Sequence, residues 1–350
     1  REDQMILSQR IQRMAPSATA AMAAKAAQKR QEGQSVISFT TGEPDYASPP
    51  SALAYARKAM DAGHTHYPPT AGIAELRQAV ADYYSTRFGL AYPTNEVVIG
   101  TGAKQLLYEA LGCVIDPGDE VILPAPAWVS YVEQIRLFDG VPVVIQTADT
   151  GFVPTVERIS AAVGPRTVAL ILNSPNNPTG AVYPAATLRA IGELAVARRI
   201  LVLNDEVYER LIYDRPTCPH ILQEVPEARE WVLNINGVSK AYAMTGWRIG
   251  FGLGPRALIK AIADFQGHLT SGTGTISQWA SVGALQEAQA DCERMREGFR
   301  ARRALVLELL AALPGVRVPP PQGAFYVFLD VSAFLGGQGP HRPKDDVAFC

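Results

Sequence analysis

Cysteine is scarce in this chain of 350 residues: four occur, and they show neither paired nor metal-type spacing. Neither a disulfide framework nor a metal site is indicated, and a reducing compartment is expected. Basic residues are not in surplus, because 32 Lys and Arg stand against 34 Asp and Glu. No apolar run approaches the ~20 residues of a membrane span, and no signal-like segment opens the sequence. We therefore expect a cytoplasmic protein without a nucleic-acid or membrane partner.

The composition, 47% hydrophobic and 19% charged, is that of a globular protein with one large core and room for a smaller domain. Between about residues 50 and 285, short apolar runs alternate with amphipathic helical stretches such as 105–114. The runs that read as strands are 97–100, 120–123, 141–145, 168–172, 201–203, 232–235 and 249–251. Such alternation predicts an α/β fold with a mostly parallel seven-stranded sheet between two layers of helices.

The pattern changes after residue 285. A long helix is predicted over 291–313 and a strand over 324–329. We expect residues 286–350 to pack with residues 1–45 as a small α+β domain beside a large domain, 46–285. The alanine-rich stretch near the N-terminus, at 20–27, is interpreted as a surface helix of the small domain.

A lysine follows one of the predicted strands, and an arginine follows it eight residues later. Lys240 and Arg248 bound the segment Lys-Ala-Tyr-Ala-Met-Thr-Gly-Trp-Arg, which Ser239 precedes. A lysine amine can form a Schiff base with an aldehyde, and a guanidinium can clamp a phosphate. Pyridoxal 5'-phosphate carries both groups. A single lysine near a strand is more often a solvated side chain on the surface. The pyridoxal-phosphate interpretation therefore requires further site residues elsewhere in the sequence.

Two other strand ends supply such parts. Asn177 lies in a Pro- and Asn-rich segment after one buried run, and Asp205 ends the next run, with Tyr208 three residues later. Ligands of parallel sheets bind at the carboxyl ends of the strands. There Asp205 can pair with a protonated pyridine nitrogen, and Tyr208 and Asn177 can hydrogen-bond the 3-oxygen of the ring. Taken singly, Asp205 could be a helix cap and Tyr208 a core residue, but together the three strand ends favour a pyridoxal-phosphate site.

At this point the chain resembles the class I and II aminotransferases of pyridoxal-phosphate fold type I, close to the bacterial aspartate aminotransferases. The resemblance runs from about residue 6 to 349 and also rests on the segments 42–45, 67–72, 101–105 and 124–131. It implies transfer of an amino group from aspartate or glutamate to a 2-oxo acid such as 2-oxoglutarate or oxaloacetate. It also implies that Lys240, Asp205 and Tyr208 are the catalytic residues, with Lys240 binding the cofactor and moving the proton.

The resemblance assigns further residues to the cofactor and the substrate. The cofactor-binding set is Gly102, Ala103, Lys104, Trp128, Asn177, Asp205, Tyr208, Ser239, Lys240, Arg248 and, from the neighbouring subunit, Tyr67. The substrate-binding set is Gly42, Lys104, Trp128 and Asn177. Residues 101–104 would open a helix whose free N–H groups bind the phosphate, and Trp128 would stack on the pyridine ring. Because Tyr67 of one subunit would contact the cofactor phosphate of the other, a homodimer with shared active sites is expected.

The sequence leaves more than one substrate open. Relatives use the lysine matching Lys104 for the distal carboxylate of aspartate or glutamate, but the same motif occurs in prephenate and aromatic aminotransferases. Ala127 stands where a bulky aromatic residue is common. The alternatives are therefore a prephenate or aromatic aminotransferase, or a biosynthetic enzyme on this scaffold that catalyses elimination, replacement or C–C bond formation. The family's C-terminal arginine for the α-carboxylate is not in this sequence, and we expect the sequence to be part of a longer chain.

Overall fold

The computed structural model of the chain describes residues 7–16, 18–39, 42–336 and 343–349. Seven strands of the described residues form one sheet: β1 (Val97–Gly100), β2 (Glu120–Ala125), β3 (Val141–Gln146), β4 (Thr167–Asn173), β5 (Leu201–Asp205), β6 (Val232–Gly237) and β7 (Gly250–Leu253). Their spatial order is β1-β7-β6-β5-β4-β2-β3. Only β7 runs antiparallel to its neighbours, β1 and β6. The predicted mostly parallel sheet is confirmed, and most strands extend one or two residues beyond their predicted ends.

Helices connect the strands and flank the sheet. Those in the described residues are α1 (Gln9–Arg13), α2 (Ala18–Gln31), α3 (Pro50–Asp61), α4 (Ala74–Phe88), α5 (Ala103–Val114), α6 (Ser130–Leu137), α7 (Val156–Ala162), α8 (Ala185–Arg198), α9 (Ile221–Glu224), α10 (Val238–Ala241), α11 (Arg256–Leu269), α12 (Thr275–Glu287), α13 (Gln289–Ala311) and α14 (Asp346–Phe349). Short 3-10 turns lie at Thr94–Glu96, Ala148–Thr150, Pro226–Trp231, Thr245–Trp247 and Ser332–Phe334.

The core consists of two apolar layers, one on each face of the sheet. Successive side chains of a strand point to opposite faces, and β4 shows this alternation. Leu170 and Leu172 pack in the layer covered by α3, α4, α8 and α12, whereas Ala169 and Ile171 pack in the layer covered by α5, α6 and α11. Because both faces are covered, the strand sequences are almost continuously apolar, which made them recognisable.

The C-terminal part departs from the prediction. The long helix is confirmed, although α13 begins and ends two residues earlier than predicted. The strand predicted over 324–329 is wrong: within the described residues this segment has only flanking bridges, Arg317 to Asp330 and Ile212 to Gly323. A strand requires a row of hydrogen bonds to a neighbouring strand, and the described chain places no such neighbour beside residues 325–329.

The N-terminal residues lie on the surface. The alanine-rich helix α2 is exposed along nearly its whole length, as predicted. The short helix α1 contacts the chain just after α6, because Arg10 and Arg13 both form salt bridges with Asp139, at 3.1 and 2.8 Å. None of the helices in the described ranges has both the length and the apolar character that a bilayer crossing requires.

Candidate active site

The carboxyl ends of β4, β5 and β6 meet at one edge of the sheet. Asn173 and Asp205, the last residues of β4 and β5, are directly paired in register, and Asp205 is paired with Ile235 of β6. Asn177, Tyr208 and Lys240 follow these strand ends by three or four residues. The three segments that the sequence pointed to therefore converge at this edge.

Lys240 lies in α10, the single helical turn that follows β6. Its half-buried amine donates a hydrogen bond to the Gly42 carbonyl, with 2.5 Å between Nζ and O. Burial lowers the pKa of Lys240 to about 8; the Glu43 carboxylate opposes this shift and the Arg248 cation adds to it. Much more of this amine is neutral near pH 7 than in an ordinary lysine, and the neutral form is the one that attacks a carbonyl carbon.

Asp205 is the buried acid of the edge. Its Oδ2 accepts a hydrogen bond from the Tyr131 hydroxyl at 2.7 Å, and its Oδ1 accepts one from the Val207 N–H at 3.2 Å. Burial raises the pKa of Asp205 to about 6, and these two hydrogen bonds limit the rise. The carboxylate is therefore fixed in direction and can stabilise a protonated nitrogen that binds beside it.

Tyr208 and Asn177 meet at a third side chain. The Tyr208 hydroxyl lies 2.6 Å from the Tyr326 hydroxyl, and Asn177 Nδ2 donates to the same Tyr326 oxygen at 3.4 Å. Burial raises the pKa of Tyr208 well above its usual range, so the phenol keeps its proton. Two hydrogen-bonding side chains are thus brought together through Tyr326.

The segment between β1 and α5 forms a cradle, which we define as residues 101–104. Gly102 has φ of 86° and ψ of 159°, a conformation that side chains disfavour, and a Cβ there would overlap the Arg248 guanidinium. The N–H groups of Ala103 and Lys104 have no acceptor among the described residues. Unpaired N–H groups at a helix N-terminus beside a guanidinium attract an anion such as phosphate.

Gln105 supports the cradle from behind. Its side-chain carbonyl accepts the Thr101 N–H at 2.9 Å, and its amide donates to Glu109 Oε1 at 2.7 Å. Glu109 is fully buried, and burial raises its pKa to about 7. The N–H groups of Thr101 and Gly102 are thus taken up, by Gln105 and by the Gly100 carbonyl, and those of Ala103 and Lys104 remain without an acceptor among the described residues.

Lys104 and Trp128 lie side by side next to the cradle. Lys104 Nζ is 4.6 Å from the centre of the Trp128 ring, within the range of a cation–π contact. Burial and the Arg248 cation both lower the pKa of Lys104. Trp128 in turn meets Tyr131 edge to face at 5.4 Å. The Trp128 ring therefore lies next to the Lys104 cation, which has no carboxylate partner among the described residues.

Comparison with known proteins decides the family. Residues 34–338 match the family described as aminotransferase class I and II. The chain belongs to this family. It is 45% identical over 333 residues to a probable aspartate/prephenate aminotransferase of Thermus aquaticus, covering 94% of this chain and 85% of the relative. It is 41% identical over 325 residues to an aspartate aminotransferase of Geobacillus stearothermophilus, covering 93% and 83%.

Solved structures agree with this assignment. An aspartate aminotransferase from Thermus thermophilus with maleate superposes with a TM-score of 0.91 at 44% identity, covering 95% of this chain and 86% of that one. The aspartate aminotransferase from Rhizobium meliloti superposes with a TM-score of 0.94 at 41% identity, covering 99% and 88%. The resemblance to class I and II aminotransferases and the fold-type-I architecture are confirmed.

Tyr67 of this aminotransferase lies apart from the converging residues. Its side chain is 90% exposed, whereas Lys240 and Asp205 are partly or fully buried, so the ring does not enter the site of its own chain. Its expected role toward a neighbouring subunit remains a prediction. Ser239, which is buried just before Lys240, does lie at the site edge.

Sequence analysis did not single out four residues that contact the candidate site residues or support them: Tyr131, Tyr326, Gln105 and Glu109. Tyr131 and Gln105 stood inside motifs that were recognised, but their partners are distant in sequence or one helical turn away. Glu109 could have been suspected, since it is a charged residue on the apolar face of α5. Tyr326 carried no sequence signal, because its contact with Tyr208 joins positions 118 residues apart.

Proposed function

We propose that this aminotransferase uses pyridoxal 5'-phosphate to move an amino group from aspartate or glutamate to a 2-oxo acid such as 2-oxoglutarate or oxaloacetate. The observation that carries the proposal is the Lys240 amine, with its pKa lowered to about 8, at the sheet edge where Asp205 and Tyr208 converge. This arrangement combines a nucleophilic amine with a buried acid and a phenol, as a pyridoxal ring requires.

The residues present fit this cofactor. The cradle offers two unpaired N–H groups and the Arg248 guanidinium at a glycine whose Cβ would fill the space. Ser239 adds a hydroxyl directly before Lys240. We assign these groups to the phosphate, because a helix N-terminus and a guanidinium are both suited to a dianion. The Trp128 wall is assigned to one face of the ring.

When bound, the cofactor supplies an aldehyde carbon that accepts the amino group and a conjugated ring that takes up electrons from the substrate. Asp205 would hold the proton on the ring nitrogen, and its hydrogen bonds from Tyr131 and Val207 keep its carboxylate in place. Tyr208 and Asn177 would bind the ring oxygen. Lys240 would bond the aldehyde carbon, give way to the substrate amine, and then move a proton from the substrate's α-carbon as a general base.

Lys104 supports a dicarboxylic substrate. Within the described chain it has no acidic partner, and a cation in the first turn of a helix is disfavoured unless an anion binds there. The relatives named aspartate aminotransferase are consistent with this assignment. A second candidate is prephenate, since other relatives are named aspartate/prephenate aminotransferase and the small Ala127 stands beside Trp128. Gly42, whose carbonyl faces Lys240, is assigned to the substrate side.

The function is tested by a half-reaction. Purified enzyme loaded with pyridoxal 5'-phosphate is mixed with aspartate, glutamate, alanine or phenylalanine, and absorption of the aldehyde form should give way to that of the aminated form. The aminated enzyme is then returned to the aldehyde form with 2-oxoglutarate, oxaloacetate or prephenate. If no dicarboxylic amino acid aminates the cofactor, the aspartate assignment is wrong.

Substitution of Lys104 tests substrate choice separately. A charge-assisted hydrogen bond contributes roughly 1.5–3 kcal/mol, so Lys104→Ala should lower kcat/KM for aspartate and glutamate by about one to two orders of magnitude. Alanine and phenylalanine should be much less affected. Lys260→Ala, an exposed lysine of α11 paired with Asp264, serves as the control. A uniform loss across all four amino acids would assign Lys104 to the phosphate cradle alone.

We also propose a cytoplasmic homodimer with shared sites, in which Tyr67 of one subunit reaches the other's phosphate. The exposure of Tyr67, together with 84% and 94% exposure of Ile37 and Phe39, supports a covering partner. The molecular mass of the protein in solution tests the dimer.

Within the subunit, we propose that residues 46–285 form the large domain and that residues 1–45 and 286–350 together form the small domain. The bidentate ion pair of Arg302 with Asp45, at 2.7 and 3.0 Å, joins the two segments and supports a shared small domain.

A further inference from the structure

A short segment after α13 crosses the edge of the sheet and is fixed there by its backbone. The N–H groups of Gln322 and Gly323 both donate to the Gly180 carbonyl at 2.9 Å, and the Ala324 N–H donates to the Leu211 carbonyl at 2.8 Å. These acceptors belong to the turns that follow β4 and β5. The segment is therefore attached to the two turns that also carry Asn177 and Tyr208.

Tyr326 projects from this segment into the site. Its hydroxyl lies 2.6 Å from that of Tyr208 and 3.4 Å from Asn177 Nδ2. It is also so close to Gly42 that a Cβ at that position would overlap it, and the Gly42 carbonyl holds the Lys240 amine. One phenol oxygen thus lies among residues from three distant parts of the chain.

The donors and acceptors of this cluster restrict where its protons point. An amide nitrogen can only donate, so the Tyr326 oxygen accepts from Asn177. A phenol has one proton, and at 2.6 Å one of the two tyrosines donates to the other. Asn177 donates to Tyr326 in either case, and either tyrosine can be the donor of the pair; in one of the two arrangements Tyr326 donates to Tyr208. The proton of Tyr208 is then free to point into the pocket.

We propose that Tyr326 is a positioning residue that directs the hydroxyl proton of Tyr208 toward the ring oxygen of the bound cofactor. The proposal rests on the proposed function, because it presupposes a pyridoxal ring in this pocket. It adds that a C-terminal segment, and not only the sheet edge, controls how strongly the ring oxygen holds a proton. Burial raises the pKa of both phenols, so both carry the proton that this arrangement requires.

The test measures the proton affinity of the bound cofactor and does not depend on turnover. The visible absorption of the loaded enzyme is titrated with pH for wild type and for Tyr326→Phe. A hydrogen bond directed at the ring oxygen favours its ionised form, so losing it should raise the titration midpoint. We expect a rise of roughly 0.4 to 1 pH unit, the size of one net hydrogen bond.

Tyr213→Phe is the matched control. The Tyr213 hydroxyl also holds this segment, through the Ala324 carbonyl, but it does not touch Tyr208 or Asn177. Its removal should leave the midpoint at the wild-type value. Equal shifts in Tyr213→Phe and Tyr326→Phe would mean that the segment merely has to be anchored, and the proposal would be rejected.

A double variant shows whether Tyr326 acts through Tyr208. In a Tyr208→Phe background, Tyr326→Phe should add little further shift, because the hydroxyl that it directs is gone. Additive shifts, or no shift in Tyr326→Phe alone, would overturn the proposal while leaving the cofactor assignment intact. A wild-type protein that binds no pyridoxal 5'-phosphate would instead refute the proposed function, and the two failures are therefore distinguishable.

Discussion

Lys240 is half-buried, and its amine lies close to two charged side chains, those of Glu43 and Arg248. Burial lowers its pKa to about 8, and the Arg248 cation contributes in the same direction. The Glu43 carboxylate, hydrogen-bonded by Thr245, limits that shift. An amine with this pKa can serve both as a nucleophile and as an acceptor of protons at neutral pH.

Replacement of this lysine should remove both functions. We expect Lys240→Ala to lower turnover by roughly 10⁴-fold or more, because the nucleophile and the general base are lost together. The fold should be retained, since the side chain makes one hydrogen bond to a backbone carbonyl. Steady-state rates and thermal unfolding, measured beside the exposed Lys58→Ala, check this. Substantial residual turnover without added amines would reject Lys240 as the catalytic residue.

We expect Asp205 to act through its negative charge. Asp205→Asn keeps the shape and an acceptor for the Tyr131 hydroxyl but cannot carry the negative charge that holds a proton on the ring nitrogen. The variant should still bind pyridoxal 5'-phosphate and should lose roughly 100-fold or more in kcat. Equilibrium binding and kcat are compared with those of Asp264→Asn, an exposed acid of α11. Near-normal rates would show that the ring nitrogen needs no carboxylate in this enzyme.

At the scale of elements, the turn from β1 into α5 relies on the absence of a side chain at Gly102. Gly102→Ala would introduce a Cβ at a φ of 86° and against the Arg248 guanidinium. The added methyl group would displace the guanidinium from the phosphate, and a hydrogen bond to a charged group contributes roughly 1.5–3 kcal/mol, so affinity for pyridoxal 5'-phosphate should fall by roughly one to two orders of magnitude. Affinity for pyridoxal, which lacks the phosphate, should change far less.

Gly246→Ala is the control for that substitution, because this glycine lies in the nearby 3-10 turn and a Cβ there meets nothing within 4 Å. It should bind the cofactor as the wild type does. If Gly102→Ala weakened pyridoxal and its phosphate equally, the turn would serve the ring or the fold and not the phosphate.

The sheet could be predicted from sequence because most of its strands are buried on both faces and therefore appear as apolar runs between breakers, and the more exposed edge strand β3 is also apolar. The same reasoning failed for residues 324–329: Ala324, Phe325 and Tyr326 pack with Tyr208 without a neighbouring strand. Lys240, Asp205, Tyr208 and Asn177 could be proposed from the sequence because each lies at, or within four residues of, the end of a strand. Tyr131 and Tyr326 could not, since their roles arise only when helix α6 and the C-terminal segment fold onto the edge.

At the scale of the whole molecule, the buried Glu109 makes stability depend on pH. Burial raises its pKa from 4.5 to about 7, so between these values the folded chain keeps a proton that the unfolded chain releases. The folded state therefore loses stability as pH rises through this window, by up to about 3 kcal/mol. Glu109→Gln, which imitates the protonated form, should unfold at a higher temperature than wild type at pH 8 and at nearly the same temperature at pH 5.

Thermal unfolding of the apo-enzyme at the two pH values measures this, and Glu193→Gln, an exposed glutamate of α8, should show no such pH-dependent gain. If the unfolding temperatures of Glu109→Gln and wild type differed by the same amount at pH 5 and pH 8, Glu109 would be ionised in the folded state at both pH values. A partner group would then have to offset the free-energy cost of burying its charge.

The order of the strands has a consequence for synthesis on the ribosome. Strands β2 to β6 pair with strands made shortly before or after them, so the middle of the sheet can assemble as the chain emerges. Within the described chain, β1 pairs with β7 alone, and β7 is made last. The nascent chain must therefore carry Val97, Val98 and Ile99 unpaired until β7 has left the exit tunnel. During that interval it is most exposed to aggregation or to capture by a chaperone.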